Sequence, residues 1–337
     1  MGLKPLTGLM LPAIEGELRR QINRLEEPRM RSLHEMLTYH MGWSGEGFGP
    51  EAQGKRLRPL LVLLTCASSN ADWKPALPAA AAVELVHNFS LIHDDIQDNS
   101  EKRRGRLTIW KKWGMPQAIN AGDALFVLSN QAILDLSPAF PTGTVLTTAS
   151  ILHATCLDLT RGQYLDMAYE TRTKVSVEDY WPMVADKTAS LLSACTAVGA
   201  LLGSADESLQ EAYRSFGHYL GLAFQVQDDF LGIWGDAALT GKSSESDLVT
   251  GKKSLPVLFG LGKNGPFAQR WARGPVRPEE VPHLAGQLAE EGAKLLTQET
   301  VDRMTNLALQ SLRVAGPQGQ AGEALFELTN KLLDREA

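Results

Sequence analysis

Apolar residues recur at intervals of three and four through most of this chain, and that spacing limits the fold class before any other feature is considered. In "AIEGELRRQINRLEEPRMRSLHEMLTYHM", residues Ile14, Leu18, Ile22 and Leu25 follow the helical period. Pro28 is expected to kink or divide that segment. "LPAAAAVELVHNFSLIHDDIQD" has no turn signal after Pro78, which suits the first turn of a long helix. The same spacing predicts helices near 117–135, 144–170, 177–202 and 206–234. Sustained period-two alternation is absent, as are Asn-Gly and Asp-Gly hairpin signals between apolar runs. The expected fold is all-α, a large single-domain helical bundle over residues 1–337.

Two stretches break the pattern. Residues 235–254, "GDAALTGKSSESDLVTGKKS", are polar and punctuated by glycine, as expected of a mobile loop over an active site. Residues 263–282, "KNGPFAQRWARGPVRPEEVP", are rich in Pro, Gly and Arg, but helical patterning resumes beyond them. They are expected to be a surface connection within the same domain.

Several function classes are disfavoured early. A net charge of −6 weighs against a general nucleic-acid binder, which carries a basic face. Cys66, Cys156 and Cys195 are scattered in apolar surroundings, without disulfide or metal-ligand spacing, and suit a reducing cytoplasm. The N-terminus, "MGLKPLTGLMLPAIEGELRRQ", is interrupted by proline and charge, so it makes a poor signal peptide. Gly2 lacks the myristoylation context, because Leu6 stands where Ser or Thr is needed. No uninterrupted apolar run approaches the ~20 residues that span a bilayer. The expected location is the cytoplasm, with no membrane span and no nucleic-acid partner.

Two acidic clusters interrupt segments that should be buried. "SLIHDDIQD" puts Asp94, Asp95 and Asp98 at a helix end, with Asp94 and Asp98 one turn apart. "FQVQDDFLGIWGD" puts Asp228 and Asp229 after a second apolar run, with Asp236 beyond. A buried carboxylate takes up a proton or finds a positive partner. Two helices presenting such pairs across a cavity are suited to divalent ions, which in turn attract a diphosphate; Mg²⁺ typically takes one or two carboxylates and completes its shell with water and phosphate. One cluster alone is as consistent with a solvated helix end.

Cations occur at matching intervals. "GKRLRP" supplies Lys55, Arg56 and Arg58, and "KRRG" supplies Arg103 and Arg104. "ADKTAS" places Lys187 and Thr188 in an apolar stretch, while "TGKSSESDLVTGKKS" adds Lys242, Lys252 and Lys253. Arg grips phosphate oxygens bidentately and Lys acts as a point charge.

At this point the chain resembles the trans-isoprenyl diphosphate synthases of the polyprenyl synthetase family. The matching segments run in order over at least residues 54–257: "GKRLRP", "AAAVELVHNFSLIHDDIQD", "RRGR", "AGDAL", "RGQYLD", "DKTASL", "FQVQDDFLGIWGD" and "GKKSLP". The resemblance implies an all-α fold around a deep central cavity, usually as a homodimer. It implies a cluster of about three Mg²⁺ per active site, held by Asp94, Asp95 and Asp98 and by Asp228 and Asp229 around an allylic diphosphate (dimethylallyl, geranyl or farnesyl). Lys187, Thr188, Gln225, Lys242 and Arg103 would complete the allylic site, and Lys55, Arg58, His87 and Arg104 would hold isopentenyl diphosphate. His87 precedes Asp94 by seven residues, nearly the same face two turns away. The implied reaction joins the two substrates, releases pyrophosphate and lengthens the chain by five carbons.

Product length is expected to depend on Leu85, Val86, Phe89 and Ser90, one and two turns before Asp94, with Phe89 the bulky stop. The resemblance, with no insertion in the first motif, implies a geranylgeranyl (C20) product over a farnesyl (C15) or somewhat longer one. One departure stands out: the family's second motif commonly reads Asp-Asp-x-x-Asp, and Gly232 occupies its last place here. A class I terpene cyclase would not need Lys55, Arg58 and His87. A phosphohydrolase built on His87, His93 and Asp94 would leave the second aspartate pair unexplained. A non-catalytic partner subunit is supported only by Gly232. "NSE" at 99–101 lacks the helical spacing of a cyclase motif and is read as coincidence.

Overall fold

The computed structural model describes residues 2–235 and 246–333. It resolves into two compact units: residues 1–156, 194–213 and 315–325, and residues 157–193, 214–314 and 326–337. The all-α expectation holds, and the long helices fall at Met115–Leu134, Thr142–Thr171, Val177–Leu202 (with one interruption) and Glu207–Trp234.

In the first unit, the helix Leu3–Ile22 buries Met10, Ile14, Leu18 and Ile22 on one face. Pro28 divides rather than kinks the chain that follows. Glu27 before it is extended, as residues preceding proline tend to be, and a new helix runs over Arg31–His40. The central element is the helix Leu77–Gln97, which starts with proline in its first turn and buries the run Ala79–Ala82. It packs mainly against Met115–Leu134. Close approach is possible because Gly122 has no side chain; a β-carbon there would overlap the His93 ring. The stretch Lys74–Gln97 is long and apolar enough to cross a membrane by length and composition, with 61% of its apolar window buried inside the protein. Burial of that kind is what a core helix requires.

The hairpin was not anticipated. Lys102–Arg103 pairs antiparallel with Arg106–Leu107, with Lys102 opposite Leu107 and Arg103 opposite Arg106. Arg104 and Gly105 both have positive φ (51° and 75°), as a type I′ turn demands.

In the second unit, Ile233, Leu248, Val257, Phe267, Val276, Leu284, Leu288 and Ala293 form a buried cluster. The 263–282 stretch contributes Phe267 and Val276 to it, and Arg270 clasps Glu280 through two bonds of 2.7 Å. The helix Val177–Val184 opens with a capping box between Ser176 and Asp179. It runs into a π-turn at Ala185–Ala189 before α geometry resumes at Ser190.

Candidate active site

The first unit gathers four arginines by distinct local devices. Gly54 (φ 77°) and Arg56 (φ 46°) turn the chain into the helix Leu57–Ser68. The turn drives Arg56 inward, where its guanidinium donates to Glu15 (2.6 Å), Glu84 (2.9 Å) and the Met41 carbonyl (3.2 Å). Arg56 therefore holds the fold together and is not available to an anion. Two residues on, Arg58 Nη1 donates to His87 Nε2 at 3.2 Å. A guanidinium only donates, so Nε2 of His87 accepts and its ring proton sits on Nδ1. Burial, together with Arg58, Arg104, Arg103 and His40, holds His87 well below the usual histidine range, so the ring is neutral. Burial and the arginines Arg103, Arg104 and Arg56 likewise push His40 down to about 3.

The hairpin parts the remaining two arginines. Arg103 donates through Nε (2.9 Å) to one oxygen of Asp95, which is 2% exposed, and its Nη2 lies 2.8 Å from the same oxygen as an ion pair. Burial raises the pKa of Asp95 and Asp98 adds to this, while Arg103 counteracts it. Arg104 donates to the Ala52 carbonyl at 2.9 Å and lies over Gly54, where a β-carbon would come within 2.7 Å of its guanidinium. Arg104 holds a left-handed backbone at the tip of the hairpin, a conformation sparsely populated by non-glycine residues, and the residue itself is exposed. Asp94 is half-buried, Asp98 is exposed and caps its helix, and Lys55 is exposed. Of the four residues expected to floor the cavity, Leu85 and Val86 are fully buried in helix packing. Phe89 and Ser90 are half-buried. The Phe89 ring meets Phe126 edge-on, centroids 5.2 Å apart.

The second unit is organised around Asp229, which is 1% exposed. Oδ2 accepts from the Tyr180 hydroxyl (2.8 Å) and from the Leu255 amide (3.0 Å) in the first turn of the helix Leu255–Lys263. Oδ1 accepts from Gln225 (3.0 Å) and lies 3.6 Å from the Lys252 ammonium. Thr188 donates to Gln225 at 2.8 Å, so Thr188, Gln225 and Asp229 form one chain of bonds. Lys187 is gripped by Asp166. Burial opposes the charge on Lys252, but Asp229, Asp247, Asp228 and Asp166 more than offset it and raise its pKa. Tyr180 is pushed well above its ordinary value by burial and by Asp229, so it stays protonated and donates.

Of the residues expected from the sequence, the first unit brings together Arg58, His87, Arg103, Arg104 and Asp95. The second brings together Lys187, Thr188, Gln225 and Asp229. Lys242 and Asp236 lie outside the described residues. Among the described residues, no three Asp, Glu, His or Cys side chains converge as a cation site. The donor set nonetheless fits Mg²⁺, a hard ion that needs only one or two carboxylates and fills the rest of its shell with water and phosphate oxygen.

Sequence reasoning did not give Tyr180 or Asp166 a part, although "RGQYLD" flagged the latter's segment. It also left Lys252 and Lys253 undistinguished. Lys253 caps a helix C-terminus instead, donating to the carbonyls of Tyr169, Glu170 and Arg172. The Asp247 carboxylate lies against Gly232, where the third aspartate of the second motif is missing.

A protein-family model described as "Polyprenyl synthetase" matches residues 49–274. The chain is 43% identical over 270 residues to a (2E,6E)-farnesyl diphosphate synthase of Mycobacterium bovis, covering 80% of this chain and 73% of that one. It is 41% identical over 257 residues to a geranylgeranyl diphosphate synthase of Mycobacterium tuberculosis, covering 76% and 71%. A solved polyprenyl synthetase from Streptomyces coelicolor superposes with a TM-score of 0.83 at 36% identity, over 97% of this chain and 98% of that one.

Proposed function

This chain belongs to the polyprenyl synthetase family, and on that premise we propose that it condenses isopentenyl diphosphate with an allylic diphosphate to make geranylgeranyl diphosphate. Short-chain trans-prenyl transfer is supported by relatives named for both C15 and C20 products. The observation that carries the reading is the pairing of buried carboxylate with fixed cation in each unit: Asp95 with Arg103, and Asp229 with Lys252.

In this reading Asp94, Asp95 and Asp98 are one Mg²⁺-binding set, Asp228 and Asp229 the other, and about three ions serve each active site. Mg²⁺, when bound, neutralises charge developing on the leaving pyrophosphate. Lys187, Thr188, Gln225, Arg103 and Lys242 orient the allylic diphosphate. Lys187 and Arg103, both already paired with carboxylates, exchange those partners for phosphate oxygens. Arg58, Arg104, His87 and Lys55 hold isopentenyl diphosphate. His87 with its proton on Nδ1 binds as a neutral donor, so the full positive charge there stays on the arginines. As the allylic C–O bond breaks, the double bond of isopentenyl diphosphate attacks the allylic cation. Loss of one proton to the released pyrophosphate completes the product. Apolar walls exclude water, which would otherwise quench the cation. Phe89 and Ser90 set the length.

The protein works in the cytoplasm as a homodimer. Met115, Ile119, Val127 and Leu134 are 46%, 45%, 53% and 65% exposed along one helix, an apolar stripe that a second copy would cover.

Incubating purified protein with Mg²⁺, isopentenyl diphosphate and each allylic primer, then sizing the products, tests the proposal. Absence of elongation with every primer would overturn it. Elongation that ends at C15 would overturn the length assignment alone.

A further inference from the structure

The interruption at Ala185–Ala189 lies at the residues expected to meet diphosphate. Its turn is closed by the Ser190 amide bonding back five residues to the Ala185 carbonyl. A π-turn is an α-helix with one residue too many, and it widens the coil so that side chains leave the regular 3.6-residue faces. Such a turn is less favourable than α geometry, so something must hold it.

Two glycines on neighbouring helices do so from opposite ends. A β-carbon on Gly162 would overlap the Lys187 amide and lie 2.6 Å from its Cα. A β-carbon on Gly221 would lie 2.5 Å from Ala189 Cα and 2.9 Å from its Cβ. Both helices therefore press directly on the widened backbone. Side chains of the same helices then fix what it presents. Asp166, one turn beyond Gly162, takes Lys187, and Gln225, one turn beyond Gly221, accepts from Thr188 at 2.8 Å. Arg161 secures the preceding residue, Asp186, at 3.1 Å.

We propose that the π-turn, wedged between Gly162 and Gly221 and tethered by Asp166, Gln225 and Arg161, is a positioning device that aims Lys187 and Thr188 at the allylic diphosphate. The inference rests on the proposed function only in naming that ligand.

The test removes the extra residue. Deletion of Ala185 should let the helix close as continuous α, leaving its flanks in register while Lys187 and Thr188 rotate off their partners. Far-UV circular dichroism and thermal unfolding check that the variant folds. Calorimetry measures its affinity for pyrophosphate with Mg²⁺, and steady-state kinetics separates the two substrates. We expect kcat to fall on the order of 100-fold and the allylic KM and pyrophosphate affinity to worsen about 10-fold or more, with the isopentenyl KM within about twofold of the parent. Gly221→Ala, a milder push on the same turn, should shift the same quantities by about 3-fold to 10-fold, and it decides the matter if the deletion does not fold. A folded variant with unchanged pyrophosphate affinity and both KM values intact overturns the proposal. Equal worsening of both KM values overturns it too, since that reports general damage. If the parent protein elongates no primer, the functional reading fails, and the pyrophosphate affinities still decide whether the turn positions an anion site.

Discussion

The carboxylate of Asp247 occupies the space that a side chain at Gly232 would need. A β-carbon on Gly232 would stand 2.6 Å from Asp247 Oδ2 and 2.8 Å from its Cγ. The position where the family pattern has its third aspartate is thus empty of side chain but not of negative charge. Asp247 also contributes to the field that raises the pKa of Lys252.

Restoring the family pattern should therefore do harm. Gly232→Asp would force two carboxylates together, and we expect about a 10-fold or greater loss of kcat, reversed in large part by adding Asp247→Gly. Mg²⁺ titrations of the rate for both variants check this. A single variant more active than the parent would show that Asp247 does not stand in for the missing group.

Tyr180 is the donor that fixes Asp229 from within the core, at 2.8 Å. Tyr180→Phe keeps the packing and removes one bond to a charged acceptor. Urea unfolding should show a loss of about 1.5–3 kcal/mol, and kcat should fall as Asp229 loosens. Stability within error of the parent would remove Tyr180 from the site's support.

Acid should weaken the first unit through two half-buried histidines, His40 and His87. Unfolded, His40 and His87 titrate near their ordinary value of 6.5; folded, His40 is held at about 3 and His87 well below 6.5. The unfolded chain therefore binds more protons across that window. The stability from keeping these rings neutral is fully present above pH 6.5 and is lost as pH falls through it towards the folded values. Each ring adds up to about 1.4 kcal/mol per pH unit to the slope. Urea midpoints between pH 7 and pH 5 should drop less steeply in His40→Gln and His87→Gln than in the parent. Parallel slopes would show that these rings are charged in the folded state.

Phe89 is buttressed by Phe126 at 5.2 Å between centroids. Phe89→Ala should lengthen the product by at least one five-carbon unit, and adding Phe126→Ala should lengthen it again. Chromatography of the dephosphorylated products reads the length directly. An unchanged chain length would place the floor elsewhere.

The residues differ in how far their roles could be read in advance. Ile14, Leu18 and Ile22 declared their helix because burial of one face imposes its period on the sequence. The aspartate pairs stood out because carboxylates are costly in apolar runs, and Asp95 and Asp229 are indeed almost fully buried. Arg56 and Arg58 are indistinguishable as letters; the positive φ of Arg56 gives them opposite fates, and no spacing rule records it. The π-turn was hidden because "ADKTA" suits an ordinary helix, and only the glycines on neighbouring helices reveal what holds it open. Asp247 reaches Gly232 from fifteen positions along the chain, a contact to which local pattern is blind.

The short ribbon around Arg104 and Gly105 works as a sorter. Arg103 and Arg104 are joined by a single peptide bond, yet one bonds Asp95 and the other the Ala52 carbonyl beside Gly54. Their assignments come from the register of two cross-strand residue pairs and not from their chemistry. One residue inserted after Gly105 would leave the composition of the site intact and still scramble which arginine serves which neighbour. The identity of each arginine is a property of the turn, so the turn is as much a part of the site as the guanidinium groups it deals out.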